Sequence, residues 1–230
     1  MATKAVLTEL IGAFEARTGQ AVALESIGGV EAVRRVQGGE ALDVVALSRD
    51  AIDKLSATGH LAVGSAVDLA RSPVAVAVRA GARRPDISDE DAVRRAVLAA
   101  RTIGTSTGPS GLALGRLFER WGIAPELRDR IVTPPPGVPV GAFLASGRVE
   151  LGFQQLSELA HLEGIDVVGP LPPAIQIVTT FAAAVGAATR HPEAARALIA
   201  YLASPAAAEA KRRHGMEPAD AAPSAGGSGR

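Results

Sequence analysis

Two short apolar runs, DVVAL at 43–47 and PVAVAV at 73–78, do more than any other feature to limit what this chain can fold into. Each is too short for a stable helix, and neither alternates with polar residues. Both therefore read as strands covered on both faces, the kind found in parallel sheets. Segments of helical period lie around them: 3–17, with Val6, Leu10, Ala13 and Phe14 on one side, then 30–36, 49–57, 88–100, 192–202 and 205–214. Further short strands are expected at 21–25, 102–104, 131–133, 149–153, 166–168 and 174–181. Strand alternating with helix predicts an α/β fold with a largely parallel sheet.

The segment with the most chemistry is RTIGTSTGPSGLALGRLFERW, 101–121. A strand end is followed by Thr105-Ser106-Thr107-Gly108-Pro109-Ser110-Gly111, then by a helix with Leu114, Leu117, Phe118 and Trp121 on one face. Proline suits the first helical position, and Thr107 or Gly108 suits the cap. The N–H groups of Ser110, Gly111 and Leu112 then lack partners within the helix, and unpaired donors at the positive end of a helix dipole attract anions. The loop lacks the lysine of a P-loop. Gly104-Thr105-Ser106-Thr107-Gly108 does match the G-x-S-x-G nucleophile elbow, so a serine hydrolase using Ser106 stays open.

Ligands of open α/β sheets sit at the carboxyl ends of strands. Other turns of similar make-up fall there: Ser26-Ile27-Gly28-Gly29 before a helix at Val30, Ser48 before Arg49, Pro139 opening a helix at Val140, and Gln154 with Gln155 after a strand. Helix starts with no lysine or arginine between them suit a small anion held by neutral donors. Arg34 and Arg35 read as a solvated helix face.

Composition excludes several classes. Lys plus Arg and Asp plus Glu are 24 each, so no net field draws nucleic acid or an acidic membrane. With no cysteine and four isolated histidines, neither a metal site nor a cofactor is expected. No apolar run approaches the ~18 residues of a membrane span. No signal peptide is visible, so the expected location is cytoplasmic for the chain as given, or periplasmic if a leader lies upstream. The Ala, Gly, Ser and Pro tail at 220–230 is expected to be disordered.

In order and spacing, SIGGVEAVRRV, ALDVVALSRDAIDKL, TSTGPSG, PPGVPVGAFLASG, ELGFQQLSEL and ASPAAAEAKRRHGMEP resemble the type II periplasmic-binding-protein fold, in particular the molybdate-binding proteins. The resemblance implies two lobes, 1–77 with 178–219 and 78–177, each a mostly parallel sheet flanked by helices. Two crossover strands would act as a hinge, with the ligand between the lobes. It places anion contacts near Met1, at Gly28, Gly29 and Val30, at Ser110 with Gly111, near Pro139 and at Gln155; Ser48, Ser106, Thr107 and Gln154 complete the candidate set. Met1 or Ala2, then Gly28 and Gly29, stand where the molybdate binders carry serines, and the amide of Gln155 where they carry a tyrosine, which suits a larger carboxylate better than molybdate. The implied partner is the permease of an ABC transporter. Aconitate isomerase resembles this family too, so an isomerase of a small carboxylate is the alternative, although the residues offer no evident base. That fold also has a strand before its first helix, so the true start is expected upstream of Met1.

Overall fold

The computed structural model describes residues 2–135 and 137–220; Met1 and the tail at 221–230, both subjects of the expectations above, lie outside the described residues. In chain order the elements begin with α1 (Lys4–Thr18), α2 (Gly29–Gln37), β1 (Val44–Ser48), α3 (Arg49–Ala57), β2 (Val67–Arg79) and α4 (Glu90–Ala99). Next come β3 (Ile103–Gly104), α5 (Pro109–Arg120), α6 (Ala124–Leu127), β4 (Ile131–Val132), α7 (Val140–Ala145), β5 (Leu151–Gln155) and α8 (Leu156–Leu159). The last are β6 (Ile165–Pro170), β7 (Val178–Val185), α9 (Pro192–Ala203), α10 (Ala208–Arg213) and β8 (Glu217–Pro218). The chain divides into two compact units, one running to Ser72 and resuming at Thr180, the other Pro73–Thr179, so it passes between them within β2 and within β7.

In the first unit the strand order is β1-β7-β2, with β8 also paired to β2. β7 alternates its side chains, Ala183 and Val185 to one face and Ala182 and Ala184 to the other. On the first face lie Val6, Leu7, Leu10, Ile11 and Phe14 of α1 with Leu198, Ile199 and Leu202 of α9; on the second lie Val36 of α2 and Ile52 and Leu55 of α3. The period of two in the strand thus builds a three-layer unit. The apolar stripe of α1 differs from the expected one: Leu7 and Ile11 are buried, whereas Ala13 is exposed.

Two expectations for this unit fail. β1 is not in a parallel pair: it runs antiparallel to β7, Val44 opposite Val185 and Ser48 opposite Phe181, because β7 is the segment that returns from the other unit. Nor is 21–25 a strand. No ladder partner reaches it among the described residues; Val22 N–H instead donates to Glu15 Oε1 at 2.7 Å, and Leu24 is left exposed. A strand is defined by pairing, so an extended segment without a neighbour stays a loop.

The second unit has the order β6-β2-β5-β3-β4. β3 is parallel to β4 and to β5, with Gly104 opposite Val132 and Gly152, whereas β2 is antiparallel to β5 and β6. The sheet is therefore mixed rather than mostly parallel, the crossover strand supplying the reversed direction. PVAVAV explains itself here. Val74, Val76 and Val78 face the cluster of Leu114, Leu117 and Phe118 of α5, while Ala75 and Ala77 face Val140, Leu144 and Leu159. Large side chains fill one face and small ones let the α7 side approach. α4 begins at Glu90, two residues later than expected, because Asp89 acts as its cap, accepting from Ala92 N–H at 2.7 Å.

Candidate anion-binding site

β4, β3 and β5 run parallel, so Thr133, Thr105 and Gln155 lie at or just beyond their carboxyl ends on one edge of the second unit. α5 starts from that edge. As the sequence predicts, Gly108 is its cap residue and Pro109 its first residue. Its first backbone bond runs from Leu112 N–H to Gly108 O at 3.2 Å, and among the described residues no acceptor takes the N–H of Ser110 or Gly111. Ser110 is 3 % exposed, so its N–H is shielded from water as well as unpaired. Leaving a shielded donor empty costs about 1–3 kcal/mol, and an anion's oxygen would recover it.

The approach depends on Gly111. A Cβ built there would stand 1.7 Å from the carbonyl oxygen of Ser106, so the turn folds back against the helix only because no side chain intervenes. The same turn brings Ser106 Oγ to 3.1 Å from Ser110 Oγ. Thr107 is exposed. The nucleophile-elbow reading of Ser106 does not survive this geometry. An elbow holds its serine on a strained turn beside a basic partner, whereas here the hydroxyl bonds another serine and no non-glycine residue among those described has a positive φ.

The two glutamines are not in a loop after the strand but are its last two residues, both 3 % exposed. Gln154 Oε1 accepts from Val140 N–H at 2.8 Å, at the start of α7, where Pro139 is the cap residue. The Gln154 side chain also favours the ionised form of the Glu158 carboxyl, one turn into α8. Gln154 is thereby used inside the unit. Gln155 is half used: its Nε2 donates to Thr179 Oγ1 at 2.6 Å, and its Oε1 is buried without a partner. A threonine hydroxyl donates as readily as it accepts, so the amide fits either way round, and reversed it presents an N–H₂ group where the oxygen now is.

Neither Thr179 nor Glu158 was evident as part of this group from sequence. Thr179 lies in a strand far along the chain, and the four-residue spacing from Gln154 to Glu158 spans a strand-to-helix junction with no regular period. Glu158 is half-buried, and burial is the largest influence on its carboxyl, pushing it above the ordinary value. Other displaced carboxylates of this unit go the opposite way: Glu150 is held down by Arg101, and Glu90 by the Trp121 indole and Arg120.

α7 is seated on glycines. A Cβ at Gly104 would meet Val140 Cγ1 at 2.6 Å, and one at Gly152 would meet Leu144 Cδ1 at 2.6 Å. The remaining candidates belong to the first unit. Gly28 is the cap residue of α2, with Gly29 and the 78 % exposed Val30 in its first turn, and Ser48 precedes α3 without capping it through its side chain. Arg35 bonds Glu25 and Glu40, and Arg34 bonds Glu31. No cluster of three metal-ligating side chains occurs among the described residues. No helix is long and apolar enough to cross a membrane among those residues.

Residues 1–217 match the family described as bacterial extracellular solute-binding protein. An aconitate isomerase from a Pseudomonas species is 43 % identical over 192 residues, which cover 82 % of this chain and 72 % of that protein. The periplasmic molybdate-binding protein of Azotobacter vinelandii has a similar fold, with a TM-score of 0.78 at 23 % identity over 94 % of this chain and 95 % of that one. So does PEB3 of Campylobacter jejuni with L-phospholactate bound, with a TM-score of 0.71 at 15 % identity over 94 % and 96 %.

Proposed function

Since the chain belongs to the family of bacterial extracellular solute-binding proteins, we propose that it captures a small organic anion carrying two or three carboxylates. The donors in the second unit are the N–H groups of Ser110 and Gly111, the Ser106 and Ser110 hydroxyls and the amide of Gln155. The observation that carries this reading is the unpaired pair of backbone donors at the start of α5, that of Ser110 buried. Two features favour a carboxylate over an inorganic oxyanion. Leu112, next to Gly111 and 62 % exposed, offers apolar surface that a carbon skeleton would cover. The aconitate isomerase relative also acts, by its name, on a tricarboxylate. Gly28, Gly29, Val30 and Ser48 are proposed as anion-facing positions of the first unit in their own right, and the permease of an ABC transporter as the partner.

Calorimetric titration with trans-aconitate, citrate, molybdate and sulfate tests this. A carboxylate should bind in the micromolar range or tighter, and Ser110→Ala should weaken it about tenfold, the loss of one hydrogen bond. If none of these anions binds below millimolar concentration, the reading is wrong. A second reading, favoured by the 43 % identical relative, is that the bound carboxylate is isomerised.

A further inference from the structure

We propose that Gln155 and Thr179 form a reversible reader, which lets the second-unit site take polycarboxylates with and without a hydroxyl group; this rests on the reading of that site as a carboxylate binder. Side-chain direction puts the pair at the α5 donors. Phe153 and Gln155, two residues apart in β5, point to one face of the sheet, and Phe153 meets Phe118 of α5 edge-on with ring centroids 6.3 Å apart. Val74, opposite Gln155 in the ladder, faces the same α5 cluster. Ser110, Leu114 and Phe118 follow one another at four-residue steps on one stripe of α5, and all three are buried. Stripe and strand face thus form one interface. Ser110 and Gln155 stand at the same end of it, where α5 begins and β5 ends.

Three glutamines lie in that unit, and Gln155 differs from the other two in the kind of partner it has. Gln154 Oε1 accepts from Val140 N–H at 2.8 Å. Gln176 Oε1 accepts from the N–H groups of Val74 and Ile177 at 3.2 and 2.9 Å, and its Nε2 donates to Leu171 O at 2.8 Å. Backbone N–H groups only donate and backbone carbonyls only accept, so each of those amides has one orientation. Gln155 Nε2 donates instead to the Thr179 hydroxyl at 2.6 Å, a partner that accepts in one orientation of the amide and donates in the other. The opposite atom of the same amide, Oε1, is buried with no partner among the described residues, and Gln155 as a whole is 3 % exposed. Whichever amide atom faces away from Thr179 is therefore a buried polar group that a ligand can satisfy. The oxygen takes the hydrogen of a hydroxyl, the N–H₂ group gives its hydrogens to a carboxylate, and turning from one to the other keeps the bond to Thr179.

Calorimetry of the full chain with citrate and tricarballylate, which differ by one hydroxyl group, tests this. Wild type should bind the two within about threefold of each other. Gln155→Glu replaces the amide by a group that only accepts once ionised; at about pH 9, where even a buried glutamate is largely ionised, it should favour citrate by about tenfold or more. Thr179→Val removes the support of both orientations and should weaken both ligands alike, by roughly three- to tenfold. A merely structural pair would not change the ratio of the two affinities in one variant and preserve it in the other. Wild type that separates the ligands by more than about tenfold overturns the proposal, and so does Q155E that holds them within about threefold; either result leaves the carboxylate site standing. Absence of binding of both ligands to wild type removes site and reader together. Should Q155E not fold, T179V decides, since affinities unchanged from wild type, or an unequal loss, overturn the reader.

Discussion

Gly111 and Gly115 lie on the same helix one turn apart, and replacing each by alanine should move stability in opposite directions. At Gly115 a Cβ meets nothing within 4 Å. There the substitution only removes glycine's excess backbone freedom, so Gly115→Ala should stabilise by up to about 1 kcal/mol. At Gly111 the new carbon falls 1.7 Å from Ser106 O and 2.8 Å from the Ser106 carbonyl carbon. Cβ contacts become ordinary at 3.4 Å, so the carbonyl must retreat by about 1.7 Å, and it belongs to backbone that has no alternative rotamer. Overpacking of this kind costs about 1–3 kcal/mol, from which the helical gain is subtracted. The two variants should therefore differ by roughly 2 kcal/mol in urea melts at unchanged m-value. The displaced turn carries Ser106 with it, so Gly111→Ala should also weaken carboxylate binding while Gly115→Ala leaves it alone. If G111A melts at or above G115A, the close packing of the Ser106 turn on α5 is not as described.

Three other outcomes follow from the packing. Gln154→Leu leaves the Val140 N–H without its acceptor in a buried setting, and should cost about 1–3 kcal/mol in a urea melt even without ligand. Leu114→Ala, at a fully buried position of α5, should cost about 2–5 kcal/mol by the same measurement. In the first unit, the Arg213 guanidinium and the His214 imidazole hold the Glu9 carboxyl below its ordinary value. A depressed carboxylate stabilises the fold above its unfolded pKa of about 4.3 and loses that contribution as pH falls through the folded value. Glu9→Gln should therefore melt earlier than wild type at pH 7, by less than about 1 kcal/mol because Glu9 is partly solvated, and the two should converge in acid.

The start of α5 was legible because its signals are local: a glycine cap, a proline at the first position and apolar residues at helical spacing. The two apolar runs were legible as strands for the same reason. Their direction was not, since an apolar run says that both faces are covered and nothing about which neighbour pairs with it; β1 meets β7 across more than 130 residues of chain. The segment 21–25 shows the converse, with residues suited to a strand and no partner to make it one. At the candidate site, Ser110 and Gly111 could be read from the cap. Gln154 and Gln155 could not be told apart, because one is committed to Val140 and the other to Thr179, and both partners are distant in sequence. Glu158 gained its character from burial, which no spacing reveals.

The bare backbone at Gly104 and Gly152 has a further meaning. Val140 and Leu144 rest directly on main chain, so the height of α7 above the sheet is set by a missing methyl group rather than by side chains that can adjust. Alanine at either position would act as a shim, lifting the helix together with the amide of Gln154 that hangs from its first N–H. The placement of the Gln154 amide can thus be tuned from behind, and trimming Val140 or Leu144 should restore the packing that an added methyl group spoils.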